Sequence, residues 1–405
     1  MAVVPSPAHK AVALAGIVLF LALICLPMVD NVFDVAPDVY LMENDPTPLP
    51  NFSISQIFKS FNVLQRGYLE KTFGFRKLLV RLENILDIFW LRASNQYQTV
   101  IKGKKDWLFL SQENNELNVI QDYRSAHLFT PEQIARWVDI YRARYEWLAA
   151  QGIRYLIVIA PNKHTVYPEF LPGQYNRVNA VSRTDQLVNA LRKAHIPVLD
   201  LRPTLEKVKK QAQVYYRTDT HWNTFGAFAG YVQIMKRLGQ WFPEFEPEIR
   251  GDYDITIAPD LHGGLASMLA LGDYFPESRT VFTPKFQRKA VKTEAPLPTP
   301  PYFQPTVTTD THDPSKPAAV IFRDSFAHEL IPFLSEHFDK AVYVWPYPST
   351  SRSVRFFDKE LIEKEKPAVV IDEFVERYFT EFPAEPNTPP PPKPKHQPLP
   401  TPAAP

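Results

Sequence analysis

Asp219-Thr220-His221-Trp222 puts an acid and an imidazole two residues apart, at the end of a β-prone run that begins at Val214. In extended chain, residues i and i+2 share a face. The carboxylate can therefore orient the ring, which is half of what activates a hydroxyl nucleophile. A surface turn followed by a helix-capping Asn223 is the purely structural alternative. The other half is Val320-Ile321-Phe322-Arg323-Asp324-Ser325-Phe326, an apolar strand running into a serine and then a helix. That geometry presents a nucleophile. The chemistry would be acyl transfer: Ser325 attacks the acyl carbon, His221 takes its proton, and Asp219 holds the imidazolium. The backbone N–H of Ser325 or Phe326, at a helix N-terminus, is positioned to stabilise the oxyanion.

Other residues carry two readings each. Asn162 is a second oxyanion donor or a loop Asn satisfying local backbone. Lys163 and His164 meet an anionic substrate or lie in a solvated loop. Trp222 is a sugar-stacking platform or a core aromatic under the loop. Asp324 is expected to cap the helix after Ser325, and His328 to sit at the rim or on a packing surface. Asp219, His221 and Asp324 as a metal-hydrolase set is a weaker alternative, and neither a metal nor a cofactor is assigned. The only cysteine is Cys25, in the apolar N-terminal segment, so a disulfide within the chain is excluded and neither a Cys-based metal site nor a thiol nucleophile is expected.

The elements that would position these groups alternate between strand and helix. Tyr155–Ala160 is a continuous apolar strand stopping at Pro161-Asn162-Lys163, and Thr130-Pro131-Glu132-Gln133 has the marks of a capping box with Pro in the first turn. Ser182 to Asp185 opens a helix to about Ala194, Val198–Leu201 is a short strand, and 203–211 a short helix. A strand is expected to end at Asp219, with a helix from about Asn223. Alternation resumes with strands at Ala318–Phe322, Ala341–Trp345 and Ala368–Ile371 and helices between them. Two helices are expected between Ile54 and Trp90, broken near Phe73-Gly74-Phe75-Arg76, and a hairpin over Val100–Leu110. Prolines between Glu294 and Pro317 point to a long loop. Near-continuous apolar strands imply an α/β fold with a parallel sheet covered on both faces. Asn162, Asp219 and Ser325 would all leave carboxyl ends of its strands, where ligands bind in open α/β sheets.

The chain has 405 residues, 45% of them apolar, which excludes wholesale disorder. A net charge of +1 gives no electrostatic case for a nucleic-acid partner. Ala11–Met28 carries no charge, and roughly 18–20 such residues cross a bilayer. Lys10 precedes the run and Asp30, Asp34 and Asp38 follow it, favouring a cytoplasmic N-terminus and an exported body. With no small-residue cleavage pattern after it, the run reads as an uncleaved anchor rather than a signal peptide. The expected organisation is 1–10 cytoplasmic, 11–28 transmembrane, 29–95 a helical connecting region, 96–380 the enzyme domain and 381–405 a Pro-rich disordered tail.

At these residues the chain resembles the SGNH-hydrolase-like acetyltransferases associated with alginate acetylation, the AlgJ and AlgX type. The resemblance covers roughly Leu41 to Phe379. It rests on Glu43-Asn44, Phe73-Gly74-Phe75-Arg76, Trp107-Leu108-Phe109, Pro161 to Pro168, Asp219-Thr220-His221-Trp222, the Ser325 block, Lys366 to Ile371 and Glu376-Arg377. The Asp-x-His-Trp motif precedes the serine, so the catalytic motifs are in permuted order relative to ordinary SGNH esterases. The resemblance implies a three-layer SGNH-like fold, the triad Asp219, His221 and Ser325, and a polysaccharide acceptor such as alginate. It also implies a membrane-bound O-acyltransferase partner as acetyl source, and an inner-membrane, single-pass protein with its catalytic domain in the periplasm. Gly264 stands where the family often has Asp, and Ala368 where it often has an acid. A carbohydrate esterase with the same triad, and a non-catalytic scaffold of a polysaccharide export complex, are the alternatives.

Overall fold

Every residue of Val369–Val375 is buried, and so is all of Arg154–Ala160 after its first residue. Successive strand residues point to opposite faces, so unbroken burial requires cover on both. The computed structural model describes residues 7–42, 72–91, 99–113, 117–295, 304–347 and 355–380. The expected helix through Ile57, Phe61 and Leu64, the Glu43-Asn44 mark and the tail from Pro383 lie outside the described residues.

The helices that matter for the site are α1 (Pro7–Phe33), α2 (Arg76–Ile85), α3 (Pro131–Ala149), α4 (Arg183–Lys193), α5 (Thr224–Leu238) and α6 (Gly264–Met268). The strands are β1 (Val100–Lys102), β2 (Leu108–Leu110), β3 (Arg154–Ala160), β4 (Val198–Asp200), β5 (Tyr253–Leu261), β6 (Glu277–Pro284), β7 (Val291–Ala295), β8 (Thr306–Asp310), β9 (Ala319–Phe322), β10 (Lys340–Val344) and β11 (Val369–Val375). The main sheet has seven strands in the order β4-β3-β11-β9-β10-β8-β7. The first five are mutually parallel, while β8 runs antiparallel to β10 and β7 antiparallel to β8. The sheet is therefore mixed, and the expected long loop after Glu294 is partly an edge hairpin. Its strands hold four Thr and only two Val and one Ala, so the edge carries little apolar signal in the sequence.

The helix starts expected from local capping chemistry are present. Thr130 accepts from Gln133 N, whose side chain accepts in return from Thr130 N. Ser182 does the same with Asp185, and Asn223 caps α5. The β1–β2 hairpin forms as expected.

Two expectations fail near the site. Val214–Asp219 is not a strand of the sheet. It is one arm of a tight turn closed by an antiparallel bridge between Tyr215 and Trp222. The helix after Ser325 is not continuous either: a 3-10 turn Ser325–Glu329 gives way to the single α-turn Ile331–Leu334 and another 3-10 turn to His337. Pro332 supplies no N–H to continue the ladder. The glycines of α5 serve this turn rather than the sheet. A Cβ on Gly226 would lie 2.2 Å from the Val214 carbonyl, and Gly230 meets Leu201 and Trp222.

Candidate active site

Three parallel strands deliver the groups. β9 ends at Phe322 and leads through Arg323 and Asp324 to Ser325; β3 ends at Ala160 before Pro161-Asn162-Lys163; β11, between them, ends at Val375 before Glu376-Arg377. The Asp219 turn comes from outside the sheet and must be held in place against it.

Four elements hold it. Leu108 N on β2 donates to Arg217 O at 2.8 Å. The Lys163 ammonium donates to the carbonyls of Tyr216, Arg217 and Asp219 at 3.1, 3.0 and 2.5 Å. Glu277, at the start of β6, accepts from the N–H of Arg217 and Thr218 and from the Thr218 hydroxyl. At the head of α6, Leu265 N and Ala266 N donate to Thr218 O, and Gly264 N donates to Asp219 Oδ2 at 2.6 Å. This approach leaves no room for a side chain: a Cβ on Gly263 would sit 2.1 Å from Thr218 Oγ1, and one on Gly264 2.8 Å from Asp219 Oδ2.

Held this way, Asp219 Oδ1 accepts from both the His221 main-chain N–H (2.9 Å) and ring Nδ1 (2.6 Å). The opposite ring nitrogen, Nε2, lies 2.7 Å from Ser325 Oγ. A proton on Nδ1, fixed by Asp219, leaves Nε2 as an acceptor for the serine hydroxyl. The line of three is not sealed in the core: the side chains of Asp219 and His221 are 20% and 31% exposed. Burial works against the Asp219 charge, but the nearby His221 and hydrogen bonds from His221 and Gly264 hold its carboxyl well below the usual range.

The floor is apolar. Phe326 packs under the His221 ring with centroids 4.9 Å apart, and Trp222 meets Phe326 edge-on while its Nε1 donates to Phe326 O. Trp222 is fully buried, so it is the core aromatic and not a sugar platform.

A family model described as an SGNH hydrolase-like domain, acetyltransferase AlgX, matches residues 100–376. The chain belongs to this family. The probable alginate O-acetylase AlgJ of Pseudomonas syringae pv. tomato is 30% identical over 188 residues, 44% of this chain and 42% of that protein. Its counterpart in Pseudomonas aeruginosa is 26% identical over 193 residues, 48% and 43% of the two chains. The matched stretch spans less than half the length of these curated relatives. Among solved structures, Bacillus cereus PatB1 with a sulfonyl adduct aligns with a TM-score of 0.49 at 17% identity, over 69% of this chain and 97% of that one. The O-acetyltransferase domain of Pseudomonas putida AlgJ aligns at 0.46 and 20%, over 71% and 94%.

Within this AlgX-type domain several expected roles change. The Phe326 N–H donates to Asp324 Oδ1 at 2.8 Å, so it is committed and cannot serve an oxyanion; the Ser325 N–H has no protein acceptor among the described residues. Asp324 caps this turn as expected and also accepts from Val375 N at 2.7 Å. Both its oxygens are thus taken by main-chain N–H groups, and among the described residues Asp219, His221 and Asp324 do not gather as metal ligands. Lys163 and His164 are buried, not solvated and not substrate-facing. His164 bonds to Leu110 O, and Lys163 is the anchor of the Asp219 turn. Burial pushes the Lys163 ammonium down to about 7 against the opposing pull of Asp219 and Glu277. His328 lies exposed at the rim, where its Nε2 meets Arg323 Nη1 at 3.0 Å.

Asn162 is linked to the Phe326 floor of the site through Arg377. Arg377 Nη1 donates to Asn162 Oδ1 at 3.0 Å, and the same guanidinium lies over the Phe326 ring at 5.5 Å. With Oδ1 taken, the Asn162 amide N–H₂ is the free end of the side chain. Glu376 accepts from Asn162 N at 2.7 Å and from the Thr165 hydroxyl. An acid and a base directly after the most buried strand was the available signal. Glu277 left none, because an isolated Glu in a polar hairpin reads as surface.

Proposed function

We propose that this chain is a membrane-anchored O-acetyltransferase that carries an acetyl group as an ester on Ser325 and delivers it to a hydroxyl of an exopolysaccharide, alginate or a polymer like it. The observation that carries the reading is the continuous hydrogen-bonded line from Asp219 through His221 to Ser325. Ser325 Oγ attacks the acetyl carbonyl as His221 Nε2 takes its proton. The leaving group departs with that proton, and the acceptor hydroxyl then repeats the exchange in reverse. The Ser325 N–H and the Asn162 amide are the oxyanion donors.

The anchor reading rests on Ala11–Phe33, the one helix among the described residues long and apolar enough to cross a membrane. It gives an inner-membrane protein with residues 96–380 in the periplasm, where a membrane-bound O-acyltransferase partner would supply the acetyl group. The acid and base precede the serine in the chain, so the order of motifs is permuted relative to ordinary SGNH esterases.

The test is mass spectrometry after incubation with an activated acetyl ester. One acetyl mass on Ser325 is expected, followed by its loss to an added uronate oligosaccharide. Adducts that only ever pass to water would make the chain an esterase, and an unlabelled Ser325 would leave it a scaffold.

A further inference from the structure

We propose that α2 and the π-turn after it (Leu86–Leu91) lie in the membrane–water interface, with lipid as the partner of their outward face. The inference rests on the anchor reading above. One side of this helix is docked on the protein: Arg81 donates to Ala270 O and pairs with Asp273, Asn84 donates to Leu269 O, and Ile85 and Ile88 pack on the apolar cluster around Leu265 and Leu271. Among the described residues nothing docks on the other side. Leu79, Leu82, Leu86 and Trp90 are 52, 47, 53 and 77% exposed, and their spacing of three or four residues makes one stripe. An apolar stripe of this size facing water is unfavourable unless something covers it.

The position of the helix says what covers it. Phe75, immediately before α2, donates its N–H to Asp30 Oδ2 at 2.7 Å, and Asp30 also accepts from Ala36 N, so it ties the exit of α1 to the entry of α2. Gly74 sits so close to α1 that a Cβ there would be 2.1 Å from the Pro27 carbonyl. The start of α2 is thus fixed against the last turns of the apolar helix, at the level where that helix leaves the bilayer. Lys77, exposed at that end, suits anionic headgroups, and Trp90 at the other suits the interfacial belt. Glu83 is the acid exposed beside the stripe. The segment on which α2 docks directly follows α6, whose Gly264 N–H holds Asp219. The bilayer surface would therefore lie one helix behind the candidate site and set its height above the membrane.

The test uses the full chain with Cys25→Ser, reconstituted in vesicles of phosphatidylethanolamine and phosphatidylglycerol. A fluorophore is placed at Leu86→Cys, or at Lys207→Cys as a solvent-exposed control, and acetyl labelling of Ser325 confirms that each variant is folded. Doxyl-labelled lipid should quench position 86 several-fold more than position 207, and iodide the reverse. Quenching of position 86 by iodide, or by neither quencher because protein covers it, overturns the proposal. If the chain does not float with the vesicles, the anchor reading itself fails and the inference with it.

Discussion

Lys163 Nζ donates to the main-chain carbonyl of Asp219 at 2.5 Å, while the side chain of the same Asp219 receives His221 Nδ1 at 2.6 Å. One buried ammonium therefore fixes the backbone of the residue that orients the candidate base. The turn is not part of the sheet, so its register against β9 depends on such side-chain and main-chain ties, of which Lys163 supplies three.

Lys163→Met tests that dependence. Methionine fills the volume but supplies no donor, which leaves three carbonyls to find other partners. A buried acceptor left unmade costs about 1–3 kcal/mol. A loss of several kcal/mol in unfolding free energy is expected, with acetyl labelling of Ser325 falling further than the stability loss explains. A variant that labels at the wild-type rate would show that Glu277 and α6 hold the turn by themselves.

The parallel core was legible because burial on both faces writes an unbroken apolar run, and the capped helices because Thr130 and Ser182 sit three residues before their partners. The candidate triad residues were legible by type and spacing, although for a partly mistaken reason. Asp219 and His221 are brought together by a turn and not by an extended strand. What the sequence hid was long-range and polar: Glu277 reaching Thr218 across 59 positions, Lys163 spanning 56 to Asp219. No local pattern marks a buried charge whose partners are main-chain carbonyls. The β7–β8 edge was hidden by its polar, Pro-flanked composition.

Gly263→Ala should be severe for a steric reason. The new Cβ would fall 2.1 Å from Thr218 Oγ1 and 2.4 Å from Thr218 O, and the second atom is backbone. Either α6 withdraws, releasing the Gly264 bond to Asp219, or the turn shifts. Loss of labelling and a lowered Tm are expected, whereas Gly173→Ala, with nothing within 4 Å of its new Cβ, should change neither.

Glu373 gives a pH signature. Burial, and then the charge of Asp324, push its carboxyl well above the ordinary range; Oε2 accepts from Asp324 N and Oε1 is buried without a partner. A group raised in the fold contributes stability that is full below its unfolded value, about 4.3, and is lost as pH rises through the folded value. The wild type should therefore lose stability between mildly acidic and alkaline pH. Glu373→Gln keeps an acceptor and cannot ionise, so its Tm should vary less over that range. An equal slope in both proteins would remove Glu373 as the cause.

The candidate triad makes the most stringent prediction. Ser325→Ala should remove the acetyl adduct, and His221→Ala should suppress it nearly as far, because a serine hydroxyl without its base is a poor nucleophile. Asp219→Asn should slow labelling by about 10⁴-fold if orientation of the ring is its whole role. Its main-chain carbonyl still accepts from Lys163, and Leu108, Glu277 and α6 still hold Arg217 and Thr218, so the turn should stay folded. Losses in the Asp219→Asn, His221→Ala pair should not multiply, since the two act as a unit. The sign for pH follows from the lowered Asp219 carboxyl. Its ionisation contributes stability above the ordinary unfolded value of about 3.9, lost only as pH falls through the lower folded value. Asp219 should therefore add no inflection to the labelling rate between about pH 5 and 8. An inflection in that window that disappears in Asp219→Asn would show that the carboxyl titrates there after all.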